Sequence, residues 1–185
     1  LFRSPKLGPA PFANGFFDRK GCRAQFWDQS AAWIEGPRIW DRFRSAGGRV
    51  GLIGWQQSLG ESVDLVYSPA PIHRHGGGIL PACYAWPREL DDDLREAVGR
   101  PFNLAHYWGP LASPRSSRWL AEAAAAIMTH PRHAPDLLLV YLPALDYGLQ
   151  RRGPESRSAE RALSALWGDL RRLLKTAAVT GYEVM

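Results

Sequence analysis

The sequence has 185 residues, of which 45% are hydrophobic and 22% are charged, with a formal net charge of +5. These values are typical of a soluble globular protein of about one domain, and no apolar run approaches the length of a membrane span. The basic residues are scattered among acids rather than clustered, so we expect neither a membrane nor a nucleic acid as a partner.

Glycine and proline divide the first half of the sequence into short predicted elements. Residues 1–30 are rich in glycine, proline and aromatic residues and lack a helical period, which predicts a loop. Gly36-Pro37 is typical of a helix start, and Gly47-Gly48 is typical of a helix end. Two strands are expected next, a mostly apolar one over 49–55 and a shorter one over 63–67.

The second half alternates helices with strands. The predicted elements are a helix over 89–98, a strand over 103–107, a helix over 113–130, a strand over 136–142, a helix over 158–178 and the opening of a strand at 182–185. The strand over 136–142 is apolar on both faces, as a central parallel strand requires. Alternating strands and helices predict an α/β fold of three layers (α/β/α), with helices on both faces of a mainly parallel sheet.

We expect residues 1–185 to form the central part of a single domain. The first residue is Leu1 rather than methionine, and residues 182–185 have the pattern of a strand that has only begun. This pattern predicts a domain that is truncated at both ends.

Two cysteines, Cys22 and Cys83, are too few for a disulfide framework, and the sequence has no CxxC motif. We therefore expect free thiols in a reducing compartment, and a cytoplasmic protein.

The first place to look for chemistry is the segment after the strand over 136–142, because ligands of open parallel sheets bind at the carboxyl ends of the strands. Asp146 lies there, and a carboxylate at the end of an apolar strand is unfavourable unless it is paired or holds a metal. The alternatives are that Asp146 caps a turn or pairs with Arg151.

Other polar groups have ordinary explanations in the sequence. His73-Arg74-His75 precedes three glycines, which favours a solvated loop over a pair of metal ligands. His130 and His133 lie near a helix end, where cationic side chains suit the helix dipole. The run Asp91-Asp92-Asp93 lies at a helix start, where acids are favoured, and we do not interpret it as a metal cluster.

Two segments resemble the type I phosphodiesterase/nucleotide pyrophosphatase branch of the alkaline phosphatase superfamily. The segment YLPALDYGLQRRGPES has that branch's order of an apolar strand, an Asp, Gly-Pro and a small polar residue, here Asp146, Gly153-Pro154 and Ser156. The segment NGFFD, which begins at Asn14, resembles the Asn-x-x-Tyr/Phe-Asp stretch of the branch. The resemblance covers nearly the whole chain and implies an alkaline-phosphatase-like fold.

The resemblance also implies a site for up to two divalent metal ions, usually zinc, which activate a nucleophile and hold phosphate oxygens. Asp146 would be a metal ligand, and Asn14 would bind substrate by donating its side-chain amide to a phosphate oxygen. Gln150 stands where the family has a histidine. A neutral amide is a poorer zinc ligand than imidazole, so a metal-binding role for Gln150 is open.

The implied activity is metal-dependent hydrolysis of phosphodiester or phosphate-ester bonds, of the nucleotide pyrophosphatase type, in a small-molecule substrate. The family's nucleophile has no counterpart here, so we expect activity in the intact parent and little or none in these 185 residues alone. The alternative is a divergent, non-catalytic phosphoester-binding protein that has lost part of its metal site. The sequence predicts no oligomeric state.

Overall fold

The structure is a computed structural model that describes residues 15–26, 29–73 and 78–185. In chain order the elements are β1 (Gly15–Asp18), β2 (Arg23–Phe26), α1 (Asp41–Ser45), β3 (Val50–Ile53), β4 (Leu65–Pro69), β5 (Ile72–His73), β6 (Ile79–Leu80), β7 (Cys83–Trp86), α2 (Leu90–Val98), α3 (Leu104–Tyr107), α4 (Arg115–Thr129), β8 (Leu137–Val140), α5 (Ala144–Arg152) and α6 (Arg157–Thr180). Within these described ranges, no helix is both long enough and apolar enough to cross a bilayer.

A four-stranded sheet in the order β7-β4-β3-β8 forms the centre of the fold. Strand β3 pairs in parallel with both β4 and β8, and β7 joins the edge of β4 in the antiparallel direction. Every residue of β3 and β4 is buried, which explains why β3 is apolar on both faces. The prediction of an α/β fold with a mainly parallel sheet is confirmed.

Helices and loops cover the two faces of the sheet with separate apolar clusters. On one face, Leu90 of α2 and Leu120 of α4 pack against Ile53 and Leu65. On the other face, Val50, Leu52 and Val66 pack with Val63 and with Trp40, the residue before α1. Helix α6 packs mainly on α4 and α5, and so lies outside α4 rather than directly on the central strands.

The sequence predicts β8 as a central strand, but it lies at an edge of the sheet that the structure describes. Among the described residues it pairs only with β3, and its four residues are half-buried. The other edge of β8 borders an apolar groove of about 880 Å³, which Phe43, Leu170 and Leu174 help to line. Both faces of β8 are apolar as predicted, but one of its edges has no strand partner in the part of the chain that the structure describes.

Three other predictions of local structure are wrong. Residues 15–26 are an antiparallel hairpin rather than a loop, because Asp18 Oδ1 accepts the N–H groups of Lys20 and Gly21 and so forms a tight turn. The segment 103–107 is a short helix rather than a strand, because the Asn103 side chain accepts the N–H of Ala105 and caps it. Residues 182–185 form no strand.

Candidate functional site

A cavity of about 540 Å³ opens at the carboxyl ends of β3 and β8, where the sequence predicts a site. Its polar lining combines phenol, carboxylate, amide and guanidinium groups. The main polar residues are Gln56, Tyr107, Tyr141, Asp146, Tyr147 and Arg151. Among the residues that the structure describes, Asp146 is the one carboxylate in this lining.

Helix α5 begins directly after β8 and carries the predicted site residues, although the sequence predicts no helix between the strand over 136–142 and the helix over 158–178. The first N–H groups of a helix lack partners within the helix, and a buried one needs a partner from elsewhere. Ser117 of α4 provides that partner, since its Oγ accepts the N–H of Ala144 at 2.8 Å and both residues are fully buried. Helix α4 therefore fixes where α5 starts.

The position of α5 is also fixed by its close contact with α6. Gly148 is buried against the start of α6, and a Cβ atom at this position would lie 3.1 Å from the Cα of Ala159. Contacts this short are rare for real Cβ atoms, so glycine permits the two helices to approach. Ser156 then caps α6, accepting the N–H of Ala159 at 3.1 Å. Ser156, which belongs to the family-like frame, thus has a structural role.

Asp146 and Gln150 lie four residues apart on the exposed face of α5, as neighbours on one side of a helix. The Gln150 side-chain nitrogen donates to both carboxylate oxygens of Asp146 at 2.8 Å. The structure therefore brings the two predicted metal-site residues together. In this arrangement Gln150 presents its NH₂ group, not its oxygen, to the carboxylate.

The alternative pairing of Asp146 with Arg151 is not formed. The Arg151 guanidinium instead donates to the carbonyl oxygens of Gly109 at 2.8 Å and Ala112 at 3.2 Å. These bonds attach α5 to the loop before α4 and leave a positive charge at the cavity wall.

The tyrosines of the cavity are neutral phenols. Burial raises the pKa of Tyr107 and of Tyr147, and burial together with the charge of Asp146 raises the pKa of Tyr141. The Tyr147 hydroxyl donates to the carbonyl oxygen of Tyr107 at 2.7 Å and lies 3.2 Å from Ser116 Oγ. These phenols are hydrogen-bonding groups of the wall rather than nucleophilic phenolates.

The cavity fits part of a divalent metal site. The exposed carboxylate of Asp146 can ligate zinc, and the oxygen of Gln150 can face the same ion only after its amide turns over. No histidine, cysteine or glutamate of the described ranges lines this cavity, so these residues do not make a two-metal centre by themselves. Asn14, the predicted substrate-binding residue, lies outside the described residues.

A second group of metal-ligating side chains lies outside this cavity, and it was not predicted from the sequence. Asp93, His130 and His133 have ligand atoms within 4.8 Å of one another. From the sequence, Asp93 is expected at a helix start and the two histidines near a helix end, as separate features. The spacing of His130 and His133, with two residues between them, is the one local signal that could have indicated the group.

Comparison with known proteins gives one family and one solved structure. The family model described as type I phosphodiesterase / nucleotide pyrophosphatase matches residues 12–183. The crystal structure of phosphonoacetate hydrolase from Sinorhizobium meliloti 1021 in complex with phosphonoformate is similar, with a TM-score of 0.52 and 15% sequence identity over 88% of this chain. The match covers 37% of that structure's chain, and at this identity it shows the fold alone. No curated protein matches the chain.

Proposed function

Since the chain belongs to the type I phosphodiesterase/nucleotide pyrophosphatase family, we propose that it forms part of the active site of a metal-dependent hydrolase. The bonds cleaved would be phosphodiester or phosphate-ester bonds in a small-molecule substrate. One observation carries the proposal: the exposed carboxylate of Asp146 lies in a polar cavity at the carboxyl end of β8. This edge of a parallel sheet is where such folds bind ligands.

Asp146 would hold a divalent cation, which we expect to be zinc, with up to two ions in the complete site. A bound cation would neutralise phosphate oxygens and lower the pKa of a nucleophile. Gln150 orients the Asp146 carboxylate through its two hydrogen bonds, and would either keep that role or turn its amide oxygen toward the ion. Arg151 adds positive charge to the wall, which favours an anionic substrate.

The neutral tyrosines would confine the substrate rather than react with it. Tyr147 is already bonded to the Tyr107 carbonyl, and the raised pKa of its hydroxyl disfavours ionisation. We propose that Asn14 donates its amide to a nonbridging phosphate oxygen, as the family resemblance implies. Cys22 and Cys83 are both unpaired, which supports our expectation of a reducing, cytoplasmic location.

We further propose that turnover belongs to a longer protein in which these 185 residues are the central part of one domain. The coverage of 37% of the similar solved structure supports this. The 185-residue chain alone should hydrolyse bis(p-nitrophenyl) phosphate with zinc little or not at all. Robust zinc-dependent turnover by the chain alone would show that the proposed site is misplaced.

The decisive experiment is Asp146→Asn in the longer protein, with Glu155→Gln as a matched control on an exposed acid outside the cavity. Loss of a ligand carboxylate should weaken zinc binding by at least about tenfold, because even the loss of a group that only hydrogen-bonds to a metal ligand has an effect of this size. Zinc content and hydrolysis of bis(p-nitrophenyl) phosphate are measured together. Unchanged zinc content and rate in Asp146→Asn would refute the assignment.

The second candidate function is a phosphoester-binding protein that has lost catalysis. It is favoured by Gln150, because its NH₂ group covers both oxygens of Asp146 where the family has an imidazole. Gln150→His in the longer protein should then raise zinc content and turnover. Two zinc ions per chain in the unmodified protein would rule this candidate out.

A further inference from the structure

Three metal-ligating side chains converge at the amino-terminal edge of the sheet, at the opposite end of β8 from Asp146. Asp93 projects from α2, His130 is the C-cap residue of α4, and His133 lies in the turn before β8. The Asp93 Oδ2 atom is 2.9 Å from His133 Nε2 and 3.8 Å from His130 Nε2. One carboxylate oxygen of α2 thus faces two imidazole nitrogens from the segment between α4 and β8.

The cluster is held in place by packing and by backbone contacts. The rings of His130 and His133 stack with their centroids 4.5 Å apart and an interplanar angle of 24°. His133 is only 7% exposed. Arg49, which precedes β3, donates from its guanidinium to the carbonyl oxygen of Arg132 at 2.9 Å and so ties the turn to the sheet. A ligand that joins the three side chains would therefore link α2 to the segment between α4 and β8.

We propose that Asp93, His130 and His133 bind one divalent transition-metal ion of the zinc type, with water completing its coordination. Two imidazole nitrogens and a carboxylate oxygen are a common zinc ligand set. Bonds of about 2.0–2.1 Å in tetrahedral geometry place ligand atoms roughly 3.3 Å apart. The separations of 2.9 and 3.8 Å between Asp93 Oδ2 and the two imidazole nitrogens are near this value. Because the two rings stack at 24°, at least one ring must rotate before both nitrogen lone pairs meet the same ion.

Metal binding at the cluster competes with hydrogen bonds that His130 makes to the backbone. Imidazole ligates a metal through an unprotonated ring nitrogen. In the metal-free arrangement His130 Nδ1 accepts the N–H groups of Arg132 and His133, each at 3.2 Å. Binding through Nε2 moves the imidazole proton to Nδ1 and breaks these two long bonds, which lowers the affinity.

Arg132 competes with the metal for Asp93. Its guanidinium lies 3.1 Å from the same carboxylate oxygen, but its side chain is 67% exposed and can turn into solvent. A cation at the site would replace this surface ion pair, which contributes little to stability. Removal of Arg132 should therefore strengthen metal binding. A cluster that serves only to join α2 to the segment between α4 and β8 by hydrogen bonds and ion pairs would bind no metal, whether Arg132 is present or not.

Isothermal titration of the 185-residue chain with Zn²⁺ tests the proposal. We expect one bound ion, at least a tenfold loss of affinity in Asp93→Asn and in His130→Ala, and a severalfold gain in Arg132→Ala. Asp92→Asn is the matched control, because it removes a neighbouring exposed acid of α2 and should leave the affinity unchanged. Asp146→Asn should also leave the affinity of this site unchanged, because the two sites lie at opposite ends of β8 and share no residue. Among the described residues Asp146 is the one carboxylate of its own cavity, so we expect it to hold no zinc by itself in the 185-residue chain.

Thermal unfolding followed by circular dichroism provides the second readout. Zn²⁺ should raise the Tm of the wild type and of Asp92→Asn, but not that of Asp93→Asn, because an ion bound only by the folded state stabilises it. If Asp93→Asn fails to fold, the comparison of Arg132→Ala with the wild type decides. The proposal would be overturned if neither the wild type nor Arg132→Ala binds zinc. It would also be overturned if Asp146→Asn abolishes zinc binding.

Discussion

Replacing Ser117 by alanine tests whether helix α4 fixes the start of the site helix α5. Ser117 is fully buried, and its hydroxyl accepts the N–H of Ala144 at 2.8 Å. Alanine removes this acceptor and leaves a buried backbone N–H without a partner. Because Ala144 begins α5, the N–H has no alternative acceptor within its own helix.

The expected loss of stability follows from two opposing effects. An unpaired buried N–H lowers the free energy of unfolding by about 1–3 kcal/mol. Alanine is a better helix former than serine, which returns about 0.5 kcal/mol. The net loss is therefore about 0.5–2.5 kcal/mol, and a loss of 2 kcal/mol would lower the Tm of a chain this long by roughly 4–8 °C.

Urea denaturation of Ser117→Ala beside Ser164→Ala isolates the hydrogen bond. Ser164 lies exposed within α6, so its replacement has the same effect on helix propensity without loss of a buried acceptor. Ser117→Ala should be the less stable of the two. Equal free energies of unfolding would show that α5 begins where it does without Ser117.

Three further changes test the packing around the site. Asp169 lies beside Arg118, and burial raises the pKa of its carboxyl group in the folded protein. The protonated Asp169 therefore stabilises the fold fully below the pKa of the unfolded chain, and this stabilisation is lost as the pH rises through the folded pKa. Asp169→Asn should therefore remove part of the decline in unfolding free energy above about pH 4 in urea titrations, and parallel pH profiles would contradict this. Leu120 is fully buried, so Leu120→Ala should lower the free energy of unfolding by about 2–5 kcal/mol in urea, and an unchanged midpoint would show that the core collapses around the gap. Tyr147→Phe loses the bond to the Tyr107 carbonyl and should lower stability by about 1 kcal/mol in the same assay, whereas no loss would mean that water replaces the hydroxyl.

Much of the sheet and of the long helices could be predicted because their signals are local. Strands β3 and β8 lie within the predicted ranges 49–55 and 136–142, since each is a short apolar run. Helix α2 ends where Gly99 adopts the left-handed conformation, as its glycine predicts. Helices α4 and α6 differ from their predicted bounds by only a few residues, because apolar residues recur along them at the helical period.

The elements that were missed depend on contacts between distant residues or on a single cap. The sequence from Pro143 onward contains a proline and a glycine and resembles a loop, yet Ser117, 27 residues before Ala144, provides the partner that its first turn needs. Strand β7 was not predicted because it follows a stretch rich in glycine and lacks a buried apolar face: three of its residues are half-buried and Trp86 is exposed. Neither effect can be predicted from a local sequence pattern.

The same limit applies to the two sites. The Asp146–Gln150 pair follows from a spacing of four residues once the helix is known. The pairing of Asp93 with His133 joins residues 40 positions apart, which only the folded chain brings together. The proposed role of Asn14 stays a prediction, because that residue lies outside the described part of the chain.

Gly148 has a consequence for how proteins with the same site can be found. A Cβ atom at this position requires the backbones of α5 and α6 to separate by a few tenths of an ångström, and a larger side chain would move Asp146, which lies two residues earlier on the same helix. A sequence that keeps the acid but places a bulky residue at the second position after it should hold that acid in a different place. A search for proteins with this geometry can therefore require the spacing Asp-x-Gly, because the glycine is as informative as the acid.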